Sequence, residues 1–400
     1  MPSGSKRILY LIRNIGDHHA PRLLRLQREA LEAGHEFLAV EAADRSSLYA
    51  HRQTRAALLK KAIQHVSLHG AGRLDILRKL AREISKYKPD VLFTIGYSDE
   101  IALCGLVMGK ALGSRVFFLA DSKADDQPRR AAGEAIKARI LRRFDGALVA
   151  GERHKSYFAS LGVRPESIRV GYDVVDNEYF AGRAARLRTK SNLVRSLGIL
   201  PDRYVILVSR LIPRKRNDRA LDIYAASHLP ASNVRLLIIG EGPERHRLQE
   251  RVHALGIAEE VICRREVKNS MMPLFYAFAD ALLLTSEYDQ WGLSVNEAMA
   301  CGVPALVTGR CGCGGEIVLH ERNGFVWDGL STQTGANLLD RLVLEPETRE
   351  RFSAAAVQTM TEWGLARFAD AAMNMVDGAN ARQAQDQGPT PPGGGPQAHG

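Results

Sequence analysis

One stretch of the chain combines two acidic residues with the start of a helix. It reads TSEYDQWGLSVNEAMACG and runs from Thr285 to Gly302. A short apolar run precedes it, as for a buried strand, and the spacing after Gly292 is helical. The unpaired N–H groups and the dipole at a helix start favour an anion such as a phosphate. Because Glu297 and Asp289 place carboxylates nearby that can accept hydrogen bonds from sugar hydroxyls, the stretch suits a nucleotide sugar.

The same stretch resembles the donor-site signature of retaining glycosyltransferase family 4. It shares an acidic residue, seven residues and a Glu, with a central aromatic-Gly-Leu and a final Glu-Ala-Met-Ala-Cys-Gly. The first acid is usually Glu in the family, whereas this chain has Asp289, which is one methylene shorter. The resemblance implies that Asp289 orients the donor sugar and that Glu297 holds ribose hydroxyls. It also implies that the donor is bound by Trp291, Gly292, Leu293 and Ser294.

A basic pair marks the beginning of the second half. Arg210 and Lys215 lie five residues apart, on a loop between a predicted strand and a predicted helix, and both can reach one diphosphate. In the family that the chain resembles, this pair neutralises the charge on the leaving nucleotide. The Gly that usually follows the Lys is Arg216 here. The remaining residues predicted to bind the donor lie in loops after strands: Gly16, Ser209, Gly240, Glu241 and Gly242.

Strands and helices alternate in both halves of the chain. The opening strand–helix–strand pattern predicts a parallel sheet. Together with the resemblance, it predicts an α/β protein of the GT-B class, with two Rossmann-like domains and a deep cleft between them. The predicted units are an acceptor-side domain (1–182), a donor domain (195–361), a helix that crosses back to the first domain (362–380) and a disordered tail rich in Pro, Gly and Gln (381–400).

Loops after the strands of the first half are predicted to face the acceptor, because ligands bind beyond the carboxyl ends of strands in open α/β sheets. Where many family members have a His, this chain has Asp121 and Ser122. Residues 51–88 predict two basic helices, for which a solvated face and a membrane-surface role both remain open. The candidate acceptor-side residues are His18, His19, Tyr97, Asp121 and Ser122.

Charge is unevenly distributed along the 400 residues, whose net charge is +10. The first 180 residues hold about 30 Lys and Arg against about 21 Asp and Glu. Nucleic acid, an anionic membrane surface, a phosphorylated acceptor or an Arg-rich soluble composition would each account for this excess. No apolar run is long enough to span a bilayer, and five scattered cysteines indicate a reduced, cytoplasmic protein, with contact at the inner face of the cell membrane left open.

The sequence predicts neither a nicotinamide cofactor nor a metal. No Gly-x-Gly-x-x-Gly fingerprint follows the first strand. Cys311 and Cys313 lack the second Cys or His pair that a zinc site needs. The Gly-rich loop around them is instead predicted to pass close to the donor, with Glu316 capping the next helix.

The predicted reaction is the transfer of a sugar from a nucleotide-diphosphate donor to an acceptor hydroxyl. The resemblance implies that it proceeds with retention and without a metal, in bacterial polysaccharide or glycolipid synthesis. The expected acceptor is a carbohydrate or a lipid-linked molecule, and nucleic acid is not an expected partner. Two alternatives stay open: a nucleotide-sugar epimerase or phosphorylase on the same architecture, and a basic nucleic-acid-binding protein, which would want aromatic residues among its basic ones.

Overall fold

The first half of the chain forms a seven-stranded parallel sheet with the order β3-β2-β1-β4-β5-β6-β7. The computed structural model describes residues 4–42, 54–70 and 72–378. The strands of this sheet are β1 (Arg7–Ile12), β2 (Glu36–Glu41), β3 (His65–Ser67), β4 (Val91–Ile95), β5 (Arg115–Ala120), β6 (Gly146–Val149) and β7 (Ile168–Val170).

Helices cover both faces of this sheet. They are α1 (His19–Glu32), α2 (Thr54–Lys60), α3 (Arg73–Tyr87), α4 (Glu100–Ala111), α5 (Ala131–Leu141) and α6 (Glu152–Ser160). The next helix, α7 (Asn177–Arg188), follows β7 and packs against the second domain. The prediction of two helices over 51–88 was incomplete, because the edge strand β3 lies between them. Three residues are too few to show a hydrophobic period, and β3 is fixed by its pairing with β2.

The second half forms a six-stranded parallel sheet with the order β10-β9-β8-β11-β12-β13. Its strands are β8 (Tyr204–Val208), β9 (Arg235–Ile239), β10 (Val261–Arg264), β11 (Ala281–Leu284), β12 (Ala305–Thr308) and β13 (Gly324–Trp327). The helices are α8 (Ser191–Ser196), α9 (Asn217–Ala226), α10 (Arg245–Ala254), α11 (Met272–Ala277), α12 (Leu293–Ala300), α13 (Thr332–Leu344) and α14 (Pro346–Glu362).

Both sheets are buried on both faces, which explains their continuous apolar strands. In β8, Tyr204 and Ile206 pack in one core and Val205 and Leu207 in the other. The strand order reverses direction beside β1 in the first sheet and beside β8 in the second. Ligands of open α/β sheets bind at such switch points, beyond the carboxyl ends of the strands. The loops after β1 and β8 therefore lie where a ligand is expected.

Two helices connect the domains. The last described helix, α15 (Leu365–Asp377), places Phe368, Ala372 and Val376 in the core of the first domain. The side chains of Lys6 and Arg115 donate to the Val376 carbonyl at 2.5 and 3.2 Å, where the helix dipole favours positive charge. The predicted tail over 381–400 lies outside the described residues. No helix of the described ranges is both long and apolar enough to cross a membrane.

The predicted domain boundary at residue 182 falls inside α7, which packs against α11 and α12 of the second domain. At its last residue, Arg188 donates to the carbonyls of Ala277 and Cys301 at 2.8 and 2.6 Å. The C-terminal end of α7 is therefore bound to the end of α12, the helix that carries Glu297.

Candidate functional site

An ion pair joins the loops that follow β8 and β11, two neighbouring strands of the second sheet. The Lys215 Nζ donates to the Asp289 Oδ2, and the Ser286 Oγ lies 3.4 Å from the same oxygen. Only 12% of the Lys215 side chain and 8% of the Asp289 side chain are exposed. The Gly312 N–H donates to the Asp289 carbonyl at 3.1 Å, so the Gly-rich loop holds this acid in place. The structure thus brings together two residues that the sequence predicted separately.

Arg210, the other member of the predicted basic pair, is exposed at the end of β8. Its carbonyl accepts a hydrogen bond from the Asn217 side chain at 3.4 Å. Within the described ranges its guanidinium has no hydrogen bond or ion pair, and a shared action with Lys215 stays a prediction. The sequence analysis did not single out Arg214, whose Nη1 donates to the Gln290 Oε1 at 3.0 Å, beside Asp289. Its position inside the same basic loop was the available signal.

Arg216 stands in a backbone conformation that favours glycine, the residue that the resemblance leads one to expect after the lysine. Its backbone is left-handed, with φ 46° and ψ 45°, between a 3₁₀ turn (Pro213–Lys215) and α9. A side chain with a Cβ is strained there. The Arg216 guanidinium compensates in part, because its Nε and Nη2 each donate to the Asp218 carboxylate at 3.0 Å.

We expect Arg216→Gly to be more stable than Arg216→Ala by about 1 kcal/mol. Both variants lose the guanidinium and its ion pair. Only alanine keeps a Cβ, which is sterically strained in the left-handed conformation. The measurement is the free energy of unfolding in urea for the two variants side by side. Equal stabilities would show that this loop relaxes out of the left-handed conformation.

Glu297 lies on α12 and is buried among donors. The Tyr276 hydroxyl and the Asn269 Nδ2 donate to its two carboxylate oxygens at 2.8 and 2.7 Å. The His18 Nδ1, from the loop of the first domain, lies 3.8 Å from the Glu297 Oε1. Burial raises the pKa of Glu297 to about 7 and lowers the pKa of His18 to about 4, so the histidine is neutral at neutral pH. Because His18 belongs to the first domain, its contact with Glu297 shows that this carboxyl faces the cleft between the domains.

The start of α12 is formed by Gly292, whose φ of 109° is accessible to glycine and strained for other residues. Leu293 and Ser294 follow as the first helical residues, whose N–H groups have no acceptor within the helix. Gly16 occupies the matching place in the first domain, where its carbonyl accepts from Ala20 N at 2.9 Å at the start of α1. Two helix starts thus border the cleft, one from each domain.

Trp291 was predicted to bind the donor; its side chain lies in the core, and a donor contact of this residue stays a prediction. This side chain is 2% exposed, and its ring centroid lies 5.3 Å from that of Trp363. The indole Nε1 donates to the Asn296 Oδ1 at 2.8 Å, and the Asn296 Nδ2 donates to the Asp173 carbonyl at 3.2 Å. The aromatic ring packs in the second-domain core, where α12 and α14 pack against each other. Asn296, which the sequence analysis missed, connects the acidic stretch to the first domain.

The glycines after β9 are required by close packing of the chain. A Cβ on Gly240 would lie 1.9 Å from the Ser209 carbonyl, and one on Gly242 would lie 2.2 Å from the Leu211 carbonyl. The Glu241 carboxylate between them lies 3.5 Å from the Arg265 guanidinium. The Ser209 Oγ donates to the Asn217 Oδ1 at 2.9 Å. A donor contact of these residues stays a prediction, but the glycines have a structural reason of their own.

The acceptor-side candidates fall into two groups. The Tyr97 ring packs edge-on against Phe118 and Phe158, at 5.5 and 5.6 Å between ring centroids, as part of the first-domain core. His19 and Asp121 lie near enough to Arg22 for its charge to act on the pKa of both. Burial and then the negative charge of Asp289 raise the pKa of Asp121, so the carboxyls of the two domains are close enough to interact. Ser122 follows Asp121 at the end of β5 and is half-buried.

A set of contacts across the cleft was not foreseen from the sequence. Arg153 Nη1 donates to the carbonyls of Gly309 and Cys311 at 2.9 and 3.2 Å, and its backbone N–H donates to the Glu316 carboxylate at 3.1 Å. The His154 Nε2 lies 2.9 Å from the Gln290 carbonyl. The prediction that Glu316 caps the next helix was wrong, because it caps α6 of the other domain. Only the position of Gly151-Glu152-Arg153 after a strand hinted at these contacts.

Cys311 and Cys313 are buried free thiols in the Gly-rich loop. Burial raises the pKa of Cys311 to about 11, and its Sγ lies 3.3 Å from the Thr308 hydroxyl. Within the part of the chain that the structure describes, no group of three or more His, Cys, Asp or Glu side chains is arranged to hold a metal ion. The two cysteines serve the packing of the loop beside Asp289.

The two facing parallel-sheet domains define the GT-B fold. Solved structures of this architecture align with nearly the whole chain. The crystal structure of the Anabaena protein HepE in complex with UDP and glucose aligns with a TM-score of 0.73 and 17% sequence identity, covering 93% of this chain and all of that one. A glycosyltransferase from Rickettsia africae aligns with a TM-score of 0.73 and 15% identity, covering 93% of this chain and 98% of that one.

Sequence comparison finds a family match for the second half of the chain. Residues 190–359 match the family model of glycosyl transferases group 1. A GDP-mannose-dependent alpha-(1-6)-phosphatidylinositol monomannoside mannosyltransferase of Mycolicibacterium smegmatis is 31% identical over 48% of this chain and 50% of its own length. The chain thus matches about half the length of that relative. An N-acetyl-alpha-D-glucosaminyl L-malate synthase of Bacillus anthracis is 27% identical over 72% of this chain and 74% of its own length.

Proposed function

We propose that the protein is a glycosyltransferase that moves a hexose from a nucleotide-diphosphate sugar to an acceptor hydroxyl, with retention of anomeric configuration. The observation that carries the proposal is the joint position of the Lys215–Asp289 pair, the start of α12 and Glu297 at one edge of the second sheet. This arrangement offers a positive charge, a helix start and two carboxylates in one place. The group 1 match over residues 190–359 supports the same assignment.

Each part of the donor has a matching group in this proposal. The diphosphate lies on the N-terminal amides of α12, where Lys215 and Arg210 stabilise the charge that develops as the sugar–phosphate bond breaks. Asp289 accepts hydrogen bonds from the donor sugar, and Glu297 accepts them from the ribose. Because these positive groups can neutralise the leaving diphosphate, we propose that the reaction needs no metal. The leaving phosphate can take the proton of the acceptor hydroxyl.

The acceptor is proposed to be a carbohydrate or a lipid-linked molecule of polysaccharide or glycolipid synthesis. The relatives named above, a mannosyltransferase for phosphatidylinositol monomannoside and a synthase of N-acetylglucosaminyl L-malate, support the general class of a hydroxyl acceptor. Leu58 on α2 is 68% exposed and is followed in the chain by Lys60 and Lys61. This surface supports a peripheral contact with an anionic membrane, which would hold a lipid-linked acceptor near the cleft.

The test is a thermal-shift screen of the purified protein against nucleoside diphosphates and nucleotide sugars. A ligand at 100 times its dissociation constant should add about 2.7 kcal/mol of apparent stability. We expect a shift with nucleotide sugars of one base, followed by transfer to an acceptor in an assay of nucleoside diphosphate release. A well-folded sample that shifts with no member of the panel would contradict the proposal.

We expect nucleotide-sugar binding to strengthen by up to about tenfold from pH 6 to pH 8, because the pKa of Glu297 is raised to about 7. The carboxyl is mostly protonated at the lower pH, and only its ionised form can accept from two ribose hydroxyls. Calorimetric titration should use a nucleotide sugar, whose diphosphate does not titrate in this range. The dependence should vanish in Glu297→Gln, and its persistence there would assign the titration to another group.

A further inference from the structure

A group of buried polar side chains surrounds Arg22 on the first-domain side of the cleft. Asp173, which follows β7, is 4% exposed. Its Oδ1 lies 3.4 Å from the Arg22 Nη2, and the Arg22 Nε donates to the Val174 carbonyl at 2.9 Å. The second carboxylate oxygen, Asp173 Oδ2, has no hydrogen-bond partner in the described ranges. One oxygen of this buried carboxyl is therefore anchored, and the other has no partner in the described ranges.

Two more buried polar atoms near Arg22 lack a partner in the described part of the chain, the Tyr10 Oη and the His19 Nδ1. Tyr10 is 1% exposed and close enough to Arg22 for the guanidinium to oppose the rise of its phenol pKa. Arg22 lies over the Tyr172 ring, 5.0 Å from its centroid, and the His19 ring lies 6.5 Å from that ring. Buried polar atoms are nearly always paired in proteins, so three exceptions around one arginine indicate a ligand's hydrogen-bonding groups.

The charges that face Asp173 disfavour an anion. Burial is the largest cause that raises the pKa of Asp173 to about 7, followed by the negative charge of Asp121, and Asp289 adds to it from the opposite domain. Arg22 is already engaged by Asp173 and Val174. Arg367 is a second positive group near this segment, because its side chain would lie 2.9 Å from a Cβ on Gly171. Burial also lowers the pKa of His18 and of His19, which are therefore neutral at neutral pH. An incoming phosphate would meet more carboxyl groups than unengaged cations.

The position of Asp173 relates it to the proposed donor site. Its carbonyl accepts from Asn296 on α12, the helix that also carries Glu297. Asp289, which would hold the donor sugar, is close enough to raise the pKa of both Asp173 and Asp121. A hydroxyl bound to Asp173 would therefore lie near the donor sugar.

We propose that Asp173, together with Asp121, binds the hydroxyl groups of the acceptor and selects an acceptor whose reacting end is an unphosphorylated sugar or polyol. The open Asp173 Oδ2 accepts a hydrogen bond from the acceptor hydroxyl, and Arg22 fixes the orientation of the carboxyl. This inference rests on the proposed function, because it assigns the acceptor of the same reaction.

The first experiment compares acceptors in matched pairs: glucose with glucose 6-phosphate, mannose with mannose 6-phosphate, and myo-inositol with inositol 1-phosphate. The donor is the nucleotide sugar that shifts the melting temperature, and the glycosylated product is measured by mass spectrometry. We expect kcat/KM to favour the unphosphorylated member of a pair by at least tenfold. Transfer to phosphorylated members alone, a preference for them, or no transfer to any unphosphorylated member would overturn the proposal.

The second experiment uses Asp173→Asn, which keeps an oxygen for Arg22 and replaces the open oxygen with an NH2 group. We expect kcat/KM for the acceptor to fall at least tenfold, while the donor dissociation constant changes less than twofold. Asp202→Asn, at a side chain that is 91% exposed, is the matched control and should change neither quantity. An unchanged acceptor kcat/KM in a folded Asp173→Asn protein, or an equal loss of donor affinity, would overturn the assignment. Failure of the proposed function would be seen separately, as no thermal shift with any nucleotide sugar.

Discussion

Replacing Lys215 with alanine should lower kcat by about 10²- to 10³-fold, equivalent to about 2.7–4 kcal/mol of transition-state stabilisation. The ammonium group is already held at the cleft by Asp289, so it is preorganised for a diphosphate and does not have to be recruited from solvent. Its loss also leaves the Asp289 carboxylate, 8% exposed, without its cation, which adds a repulsion toward the donor. The measurement is single-turnover transfer at saturating donor.

A double variant distinguishes the two effects of Lys215. If the lysine acts on the diphosphate, adding Lys215→Ala to Asp289→Asn should lower activity further, because the cation is lost as well as the sugar contact. If the lysine only neutralises Asp289, the double variant should be no more impaired than Asp289→Asn alone. Arg214→Ala removes a neighbouring positive charge that binds Gln290 and serves as the control, with an expected loss under tenfold. Normal turnover in Lys215→Ala would contradict the donor site itself.

Glu297→Gln is expected to weaken donor binding by about 10- to 150-fold, because hydrogen bonds to a charged group are worth about 1.5–3 kcal/mol. Glutamine keeps the shape of the side chain and one oxygen for Tyr276 or Asn269, so the fold should persist. The measurement is the donor dissociation constant by calorimetry, together with the acceptor KM, which should stay within twofold. Tyr276→Phe keeps the carboxylate and removes one of its donors, and we expect a loss under tenfold.

A ligand lacking ribose hydroxyls shows whether Glu297 acts on the ribose. The wild-type protein should lose affinity for a 2′-deoxy or 3′-deoxy nucleotide sugar, whereas Glu297→Gln should bind the deoxy and ordinary donors with nearly equal affinity. Equal losses for the deoxy donor in both proteins would move the contact of Glu297 away from the ribose. Both donors are compared in both proteins because burial raises the pKa of Glu297 to about 7. The ionised fraction of this carboxyl, and with it the affinity for any one donor, therefore changes with the pH chosen.

Local sequence was sufficient for the elements of the site. The strand, loop and helix of the acidic stretch occupy consecutive residues, so periodicity and the two glycines predict β11, the loop and α12. The fold class was also predicted, and the two parallel sheets confirm it. The three-residue edge strand β3 was missed because its identity depends on β2 and not on its own residues. The packing of the Trp291 ring beside Trp363 was not foreseen, because a motif position does not reveal which way an aromatic ring points.

The sequence by itself determined the two α/β domains and the residues that border the second sheet, because these features depend on neighbours within one strand–loop–helix unit. Only the tertiary structure decided which charges meet. Lys215 and Asp289 are separated by 74 positions, Arg22 and Asp173 by 151, and Arg153 and Glu316 by 163. Such pairs depend on the order of strands in a sheet and on the facing of two domains, which no local period encodes. Burial between those domains then sets the pKa of Glu297 and Asp173 and leaves one oxygen of Asp173 open.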